Sequence, residues 1–269
     1  MNKATHSQTR HHNSRLVLKT IYDAGEISRA EIARRTALTR PTVSTLAADL
    51  LHSGLVVETG PGPSAGGKRP TLLSLNDDGP CLLTLDLSGD DYRGALVTLR
   101  GRILRRAVRP AATLRGQAAL DCVYQLAAEL LPTGPLLGIG VATPGLVDPF
   151  QGVVLRAVNR DWSDLPLRQQ LAARFECPVY VVNDSHMAAL AEYTYGDIPS
   201  GNSVIVIRVG QGLGAGVILH GRPFYGDGYG AGEIGHVVVD PGGQMCSCGN
   251  RGCLEMTSSV PAMLRAAAE

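Results

Sequence analysis

Apolar positions along the chain fall into two regimes. Over residues 14–24, Leu16, Val17, Thr20 and Ile21 recur at helical spacing, and Gly25 ends the run. Ser28-Arg29-Ala30-Glu31 has the Ser-x-x-Glu form of a capping box and predicts a short helix through Arg35. Thr36-Ala37-Leu38 makes a turn, and Thr39 caps a third helix that runs to about Ser53, with Pro41 tolerated in its first turn. Ile32, Ala33, Leu38, Val43, Leu46, Leu50 and Leu51 then share one core. Residues 54–58 read as a strand, residues 60–70 as a glycine- and proline-rich loop, and residues 71–75 as the returning strand. From residue 82 the pattern changes to apolar strand runs alternating with one-sided helices.

Helix, short helix, tight turn and third helix is the helix-turn-helix plan, and the hairpin after it is a wing. A winged helix-turn-helix over residues 12–75 is therefore expected. In that plan the start of the third helix enters the major groove, where Arg40, Thr42, Ser44 and Thr45 suit base edges and phosphates. Lys68 and Arg69, after two glycines, can lay cations into a narrow minor groove. Charge supports this. Residues 1–75 carry ten Lys or Arg against five Asp or Glu, a balance of +5, whereas residues 76–269 carry fifteen against nineteen, a balance of −4. A basic front on a mildly acidic body fits a chain whose first segment meets double-stranded DNA. The competing reading of these helices is a small protein-interaction domain.

Residues 76–269 form the second expected domain. Strands are predicted over 82–87, 95–99, 103–108, 136–141, 178–182 and 204–209, with helices over 113–131, 187–195 and 259–269. Polar motifs stand at strand ends: Ala142-Thr143-Pro144-Gly145 after one, Asn183-Asp184 after another. An α/β domain places its ligands there. Gly210, Gly212, Gly214 and Gly216 recur at every second residue, which puts all four on one face of a strand or hairpin. Either a ligand or a neighbouring backbone comes close to that face.

Composition narrows the class. A 44% hydrophobic content supports a buried core, and no apolar run approaches a membrane span. The polar first dozen residues do not resemble a signal peptide, so a cytoplasmic location and no membrane partner are expected. Cys81, Cys122 and Cys177 lie among apolar residues as ordinary core thiols. Cys246, Cys248 and Cys253 cluster among glycines, and His236 precedes them in Gly232-Glu233-Ile234-Gly235-His236. One imidazole and three thiolates make a closed tetrahedral shell suited to structural Zn2+, and Gly249 and Gly252 permit the turns that close it. Zinc on one ring nitrogen leaves the other free to donate to a hydroxyl, while Glu233 and Glu255 accept from hydroxyls.

The block from Gly232 through Glu255 resembles the signature of the ROK family (repressors, open reading frames and kinases), which includes bacterial glucokinases, N-acetylmannosamine kinases and sugar-responsive repressors. The resemblance extends over the winged helix, the Pro144-Gly145 turn, Asn183-Asp184, the glycine hairpin and the zinc block. It implies an actin-like, ribonuclease-H-like domain of the sugar-kinase type, with a sugar site at Asn183, Asp184, Glu233, His236 and Glu255. Zinc then lies on His236, Cys246, Cys248 and Cys253. In the family's kinases the aspartate matching Asp184 is the general base.

Those kinases carry Asp-x-Gly-Gly-Thr after the first strand, and this chain has Asp86-Leu87-Ser88-Gly89-Asp90-Asp91. Ser88 stands for a glycine and Asp90 for the threonine, which sets carboxylates against a triphosphate. Catalysis is therefore not expected, and Asp184 is read as a vestigial base. Family members continue past residue 269, so an incomplete second lobe is also expected. The resulting expectation is a sugar-responsive repressor of carbohydrate-metabolism genes, a homodimer or higher homo-oligomer on its operator. The alternatives are an ATP-dependent hexose kinase with an added DNA-binding domain, and a structural zinc module with a protein-binding front.

Overall fold

The structure is a computed structural model and describes residues 6–63 and 69–268. Two compact units are present. The first comprises residues 1–82, 97–104 and 132–136, and the second the remainder.

The first unit begins with α1 (His6–Ala24). It starts eight residues before the predicted Ser14, because residues 6–13 are polar and carry no apolar stripe to announce a helix. Arg10 in that added stretch pairs with Asp49 at 2.7 Å. A short strand, β1 (Ile27–Ser28), leads into α2 (Arg29–Thr36), then α3 (Arg40–His52), β2 (Val56–Pro61) and β3 (Thr71–Leu75). Ser28 Oγ accepts the Glu31 amide, as its sequence position predicts. The reciprocal half of the capping box is replaced, since the Glu31 carboxylate is held by Arg35 at 2.8 Å and by Arg34. Thr39 Oγ1 accepts the Thr42 amide and caps α3.

Val17, Ile21, Ile32, Val43, Ala47 and Leu73 have no exposed surface, and Leu38 and Leu51 pack against this core from its edge. Full burial of each large aliphatic side chain contributes about 1.5–3 kcal/mol. The wing is a three-stranded antiparallel sheet in the order β1-β3-β2, with a bulge between Glu58 and Gly60. The Gly62 amide donates to Pro70 O and closes the hairpin. Strand β1 had no sequence signal, being two residues long.

The second domain starts with β4 (Cys81–Asp86), β5 (Asp91–Val97) and β6 (Ile103–Pro110), followed by α4 (Gly116–Leu130) and β7 (Leu136–Thr143). Next come β8 (Leu146–Asp148), β9 (Val153–Ala157), β10 (Trp162–Leu165), α5 (Leu167–Phe175), β11 (Val179–Asn183) and α6 (Asp184–Tyr195). The last elements are β12 (Val204–Val209), β13 (Leu213–Leu219), β14 (Arg222–Pro223), α7 (Glu255–Ser258) and α8 (Val260–Ala268). A five-stranded sheet in the order β11-β7-β4-β5-β6 forms the body, with β11 parallel to β7. Strand β5 begins four residues before the predicted start. Gly94 broke the apolar pattern there, yet it lies where a Cβ would meet Leu130 and Leu126 of α4.

Sheets β10-β9-β8 and β12-β13-β14 complete the α/β domain. Helix α6 starts at Asp184, three residues before the predicted Met187, because Asn183 caps it by accepting the Ser185 and His186 amides. Among the described residues no helix is long and apolar enough to cross a membrane.

Candidate functional site

In the first unit, Arg40, Ser44 and Thr45 are exposed at the start of α3, and Thr42 is half-buried. The Thr42 hydroxyl shares a 2.8 Å hydrogen bond with Thr39, and Thr45 Oγ1 donates to Pro41 O at 3.1 Å. Arg40 and Ser44 thus keep side chains uncommitted within the helix, and both hydroxyls of the threonines are held in fixed rotamers. Arg69 is exposed at the return of the wing, and Lys68 lies outside the described residues. Ala37, at the helix-turn-helix corner, has φ of 56°, the left-handed conformation that closes α2.

In the second unit, a turn of 3-10 helix, Ile234–His236, brings His236 to three cysteines. The ligand atoms of His236, Cys246, Cys248 and Cys253 all lie within 4.8 Å of one another. His236 Nδ1 is 3.6 Å from Cys246 Sγ, and Cys248 Sγ is 3.6 Å from Cys253 Sγ. Ligands at zinc bond lengths on the corners of a tetrahedron are about 3.5–3.8 Å apart. The donor set and its spacing therefore fit a metal ion of that kind. The Asn250 amide holds the Cys248 thiol below its ordinary value, while burial pushes Cys253 up to about 12. A bound cation reverses the second effect, because a coordinating thiol gives up its proton. Gly252 has φ of 66°, and a Cβ there would sit 1.5 Å from Asp240 O, so no other residue fits that turn.

The other imidazole nitrogen, Nε2, faces Glu233 Oε2 at 3.7 Å. Burial raises the Glu233 carboxyl; His236 opposes that rise, and the charges of Asp184 and Glu255 add to it. The structure thus brings Asp184, His236 and Glu255 within electrostatic reach of Glu233. Glu255 Oε2 accepts the Leu213 amide at 2.9 Å and so supports the β12–β13 hairpin. Asn183 borders this group but spends its side chain on structure, capping α6 and donating from Nδ2 to Gly145 O at 2.9 Å.

Asp184 has a partner that the pattern of the sequence did not single out. Arg208 Nη1 lies 2.5 Å from Asp184 Oδ2, and Arg208 Nη2 donates to Ser88 Oγ at 3.3 Å. Ser88 in turn donates to Asp86 Oδ1 at 2.5 Å. Beside them Gln211 Nε2 donates to Asp90 Oδ2 at 2.7 Å. Burial raises the Asp184 carboxyl above its ordinary value, and Arg208 works against that rise. The one hint was a charged residue in the otherwise apolar run 204–209.

The glycine hairpin resolves the choice left open by its spacing. Gly214 and Gly216 lie on β13, where a Cβ would stand 2.8 Å from Ser185 Oγ and 2.1 Å from Ser185 O. That face packs on α6. Gly210 and Gly212 sit in the turn instead, joined by a 2.9 Å hydrogen bond from the Gly210 amide to Gly212 O. The four glycines therefore do not share one strand face, because the first two lie in the turn between β12 and β13 and only the last two lie on β13.

The family model described as "ROK family" matches residues 82–269, well over half of the chain. The chain belongs to the ROK family. A model of the MarR family matches residues 13–69, the winged helix-turn-helix. A xylose repressor from Caldicellulosiruptor bescii is 35% identical over 268 residues, covering 96% of this chain. The chain spans 66% of the length of that relative. A glucokinase from Thermotoga maritima is 36% identical over 191 residues, 68% of this chain and 59% of the kinase. Among solved structures, a ROK family transcriptional regulator described as a homolog of the E. coli MLC protein superposes with a TM-score of 0.79 at 27% identity. That superposition covers 97% of this chain and 67% of the other. ROK regulators and ROK kinases therefore share the second domain, and the regulators match the first domain as well.

Proposed function

We propose that this ROK protein is a sugar-responsive, DNA-binding repressor of carbohydrate-metabolism genes. The observation that carries the reading is the joining, in one chain, of a capped recognition helix to a sugar-kinase-like domain, an arrangement matched along 96% of the chain by a xylose repressor. Arg40, Thr42, Ser44 and Thr45 of α3 face the major groove, and Lys68 and Arg69 of the wing lie along the minor groove or the phosphates. Two copies of the chain place two such helices on a palindromic operator. Such a regulator works beside the chromosome, in the cytoplasm.

The sugar site is built from Asp184, Glu233, His236 and Glu255, with Asn183 shaping its edge. Zinc on His236, Cys246, Cys248 and Cys253 has a structural role. It fixes the imidazole through Nδ1 and leaves Nε2 to serve Glu233 and a sugar hydroxyl. Sugar changes DNA affinity only so far as it binds one conformation of the protein better than another. Xylose is the first sugar to test, since it is named for the relatives that span most of the chain.

A kinase reading is favoured by the glucokinase likeness but opposed by the side chains. A general base must be free to take a proton, and Asp184 is tied to Arg208. The loop that would cradle a triphosphate presents Asp90, fastened to Gln211, and Ser88, fastened to Asp86 and Arg208. A reporter fused to the DNA upstream of the chain's own gene tests the proposal. Repression that depends on the chain and is relieved by one sugar supports it. An expression level unaffected by the chain, together with Asp184-dependent ADP release from ATP and a hexose, overturns it.

A further inference from the structure

The residues around Asp184 carry an uneven set of charges. Asp184 and Glu255 both act on Glu233, and Asp86 acts on Asp184. Among the described residues, the guanidinium set against these four carboxylates is that of Arg208, with the His236 imidazole beside Glu233, and the chain has no lysine after Lys68. Arg208 is already committed to Asp184 and Ser88. Asp184 is the more enclosed partner, with 17% of its side chain exposed against 38% for Arg208.

An anionic ligand that reaches Arg208 must therefore share or displace Asp184, leaving a nearly buried carboxylate without its counter-ion. Removing one member of a buried pair costs more than the pair itself contributes. The incoming anion also enters a group of like charges, since Asp184 and Glu255 act on Glu233, and like charges across an interface are strongly unfavourable. A neutral polyol meets no such penalty, because hydroxyls donate to carboxylates while the ion pair stays intact.

We propose that the effector of this site is an uncharged sugar, and that the Arg208–Asp184 pair is the specificity determinant that rejects phosphorylated and acidic sugars. This inference rests on the reading of Asp184, Glu233, His236 and Glu255 as a sugar site and names the class of sugar. Arg208 acts by holding Asp184, not by contacting an anion.

Calorimetric titration of the full chain with matched probes tests it: glucose, glucose 6-phosphate and glucuronate, and xylose beside xylonate. The expected result is binding of a neutral member, with its charged counterpart weaker by about a hundredfold or more. Equal or tighter binding of a phosphate or acid overturns the proposal while leaving the sugar site standing. Binding of no sugar in the panel overturns the sugar-site reading and this inference with it. A charge exchange gives the second test. In Asp184→Asn the guanidinium of Arg208 is released, so affinity for the neutral sugar falls and affinity for glucuronate or inorganic phosphate rises. An unchanged charge preference in a folded Asp184→Asn chain contradicts the proposal. If that variant does not fold, the matched pairs on the unaltered chain still decide.

Discussion

Arg208 and Asp184 form an ion pair at 2.5 Å in which the aspartate is the enclosed partner and the arginine the half-exposed one. The carboxylate opens α6 and the guanidinium comes from the end of β12, so the pair ties the helix to the glycine hairpin. Breaking a fully buried pair costs about 3–5 kcal/mol, and the exposure of Arg208 lowers that to about 1–2 kcal/mol here. Arg208→Ala is expected to lower the free energy of unfolding by this amount, read as a lower urea midpoint at an unchanged m-value. The double variant Arg208→Ala with Asp184→Asn recovers part of the loss, because no carboxylate is left unpaired. Additive losses would show that the two side chains do not act as a pair.

The same hairpin gives a test that compares two glycines. Gly216→Ala places a methyl group 2.1 Å from Ser185 O, on backbone that cannot yield without moving α6, and is expected to cost about 2 kcal/mol or more. Gly210→Ala meets nothing within 4 Å and is expected to stay within about 0.5 kcal/mol of the parent. Thermal unfolding of both variants checks the contrast; equal effects would contradict the packing described.

Much of this architecture was legible from residue order. Ser28 and Thr39 announced their helices because a cap acts on amides three residues away. The metal cluster was legible because its cysteines lie within eight residues and only His236 comes from further off. The Arg208–Ser88 contact joins residues 120 apart, and nothing local to either one encodes it. The glycine repeat misled in part because period-two spacing presumes a straight strand, while a turn lies between Gly210 and Gly214. Residues 6–13 were missed as helix since their partner, Asp49 on α3, is remote in sequence.

The cysteine cluster predicts one zinc ion per chain after purification without chelators. Replacing it with cobalt is expected to give the visible absorption of a tetrahedral thiolate site. Cys253→Ser, at a fully buried ligand, loses the metal and loosens the bridges Val238–Cys253 and Met245–Arg251. A folded, sugar-binding protein without metal would rule out the structural role given to zinc.

His186 supplies a pH dependence. Its ring is buried, Nε2 lies 3.1 Å from Phe224 O, and burial lowers its pKa below the ordinary 6.5. The unfolded chain therefore takes up the proton first as pH falls. Stability present above pH 6.5 is lost as pH drops through that value towards the lowered folded one. Unfolding free energies measured from pH 7.5 down to about 5.5 are expected to decline less steeply in His186→Phe than in the parent. Parallel curves would place the dependence elsewhere.

On the DNA side, Arg40→Ala and Arg69→Ala are each expected to weaken binding. A phosphate contact lowers the salt slope by about 1 and acts on every sequence alike. A base contact relaxes preference at one operator position, at a cost of about 1–3 kcal/mol. Variants with unaltered affinity and slope would remove those side chains from the interface.

Sugar-dependent DNA binding draws on both domains and is measured in one experiment. The full chain is titrated against fluorescent DNA from upstream of its own gene at two salt concentrations, with and without xylose, glucose and their phosphates. The expected result is sequence-selective binding that weakens with salt and is shifted by a neutral sugar but not by its phosphate. Selective binding that no sugar moves would contradict the coupling of the two domains, and binding without selectivity would contradict the regulator itself.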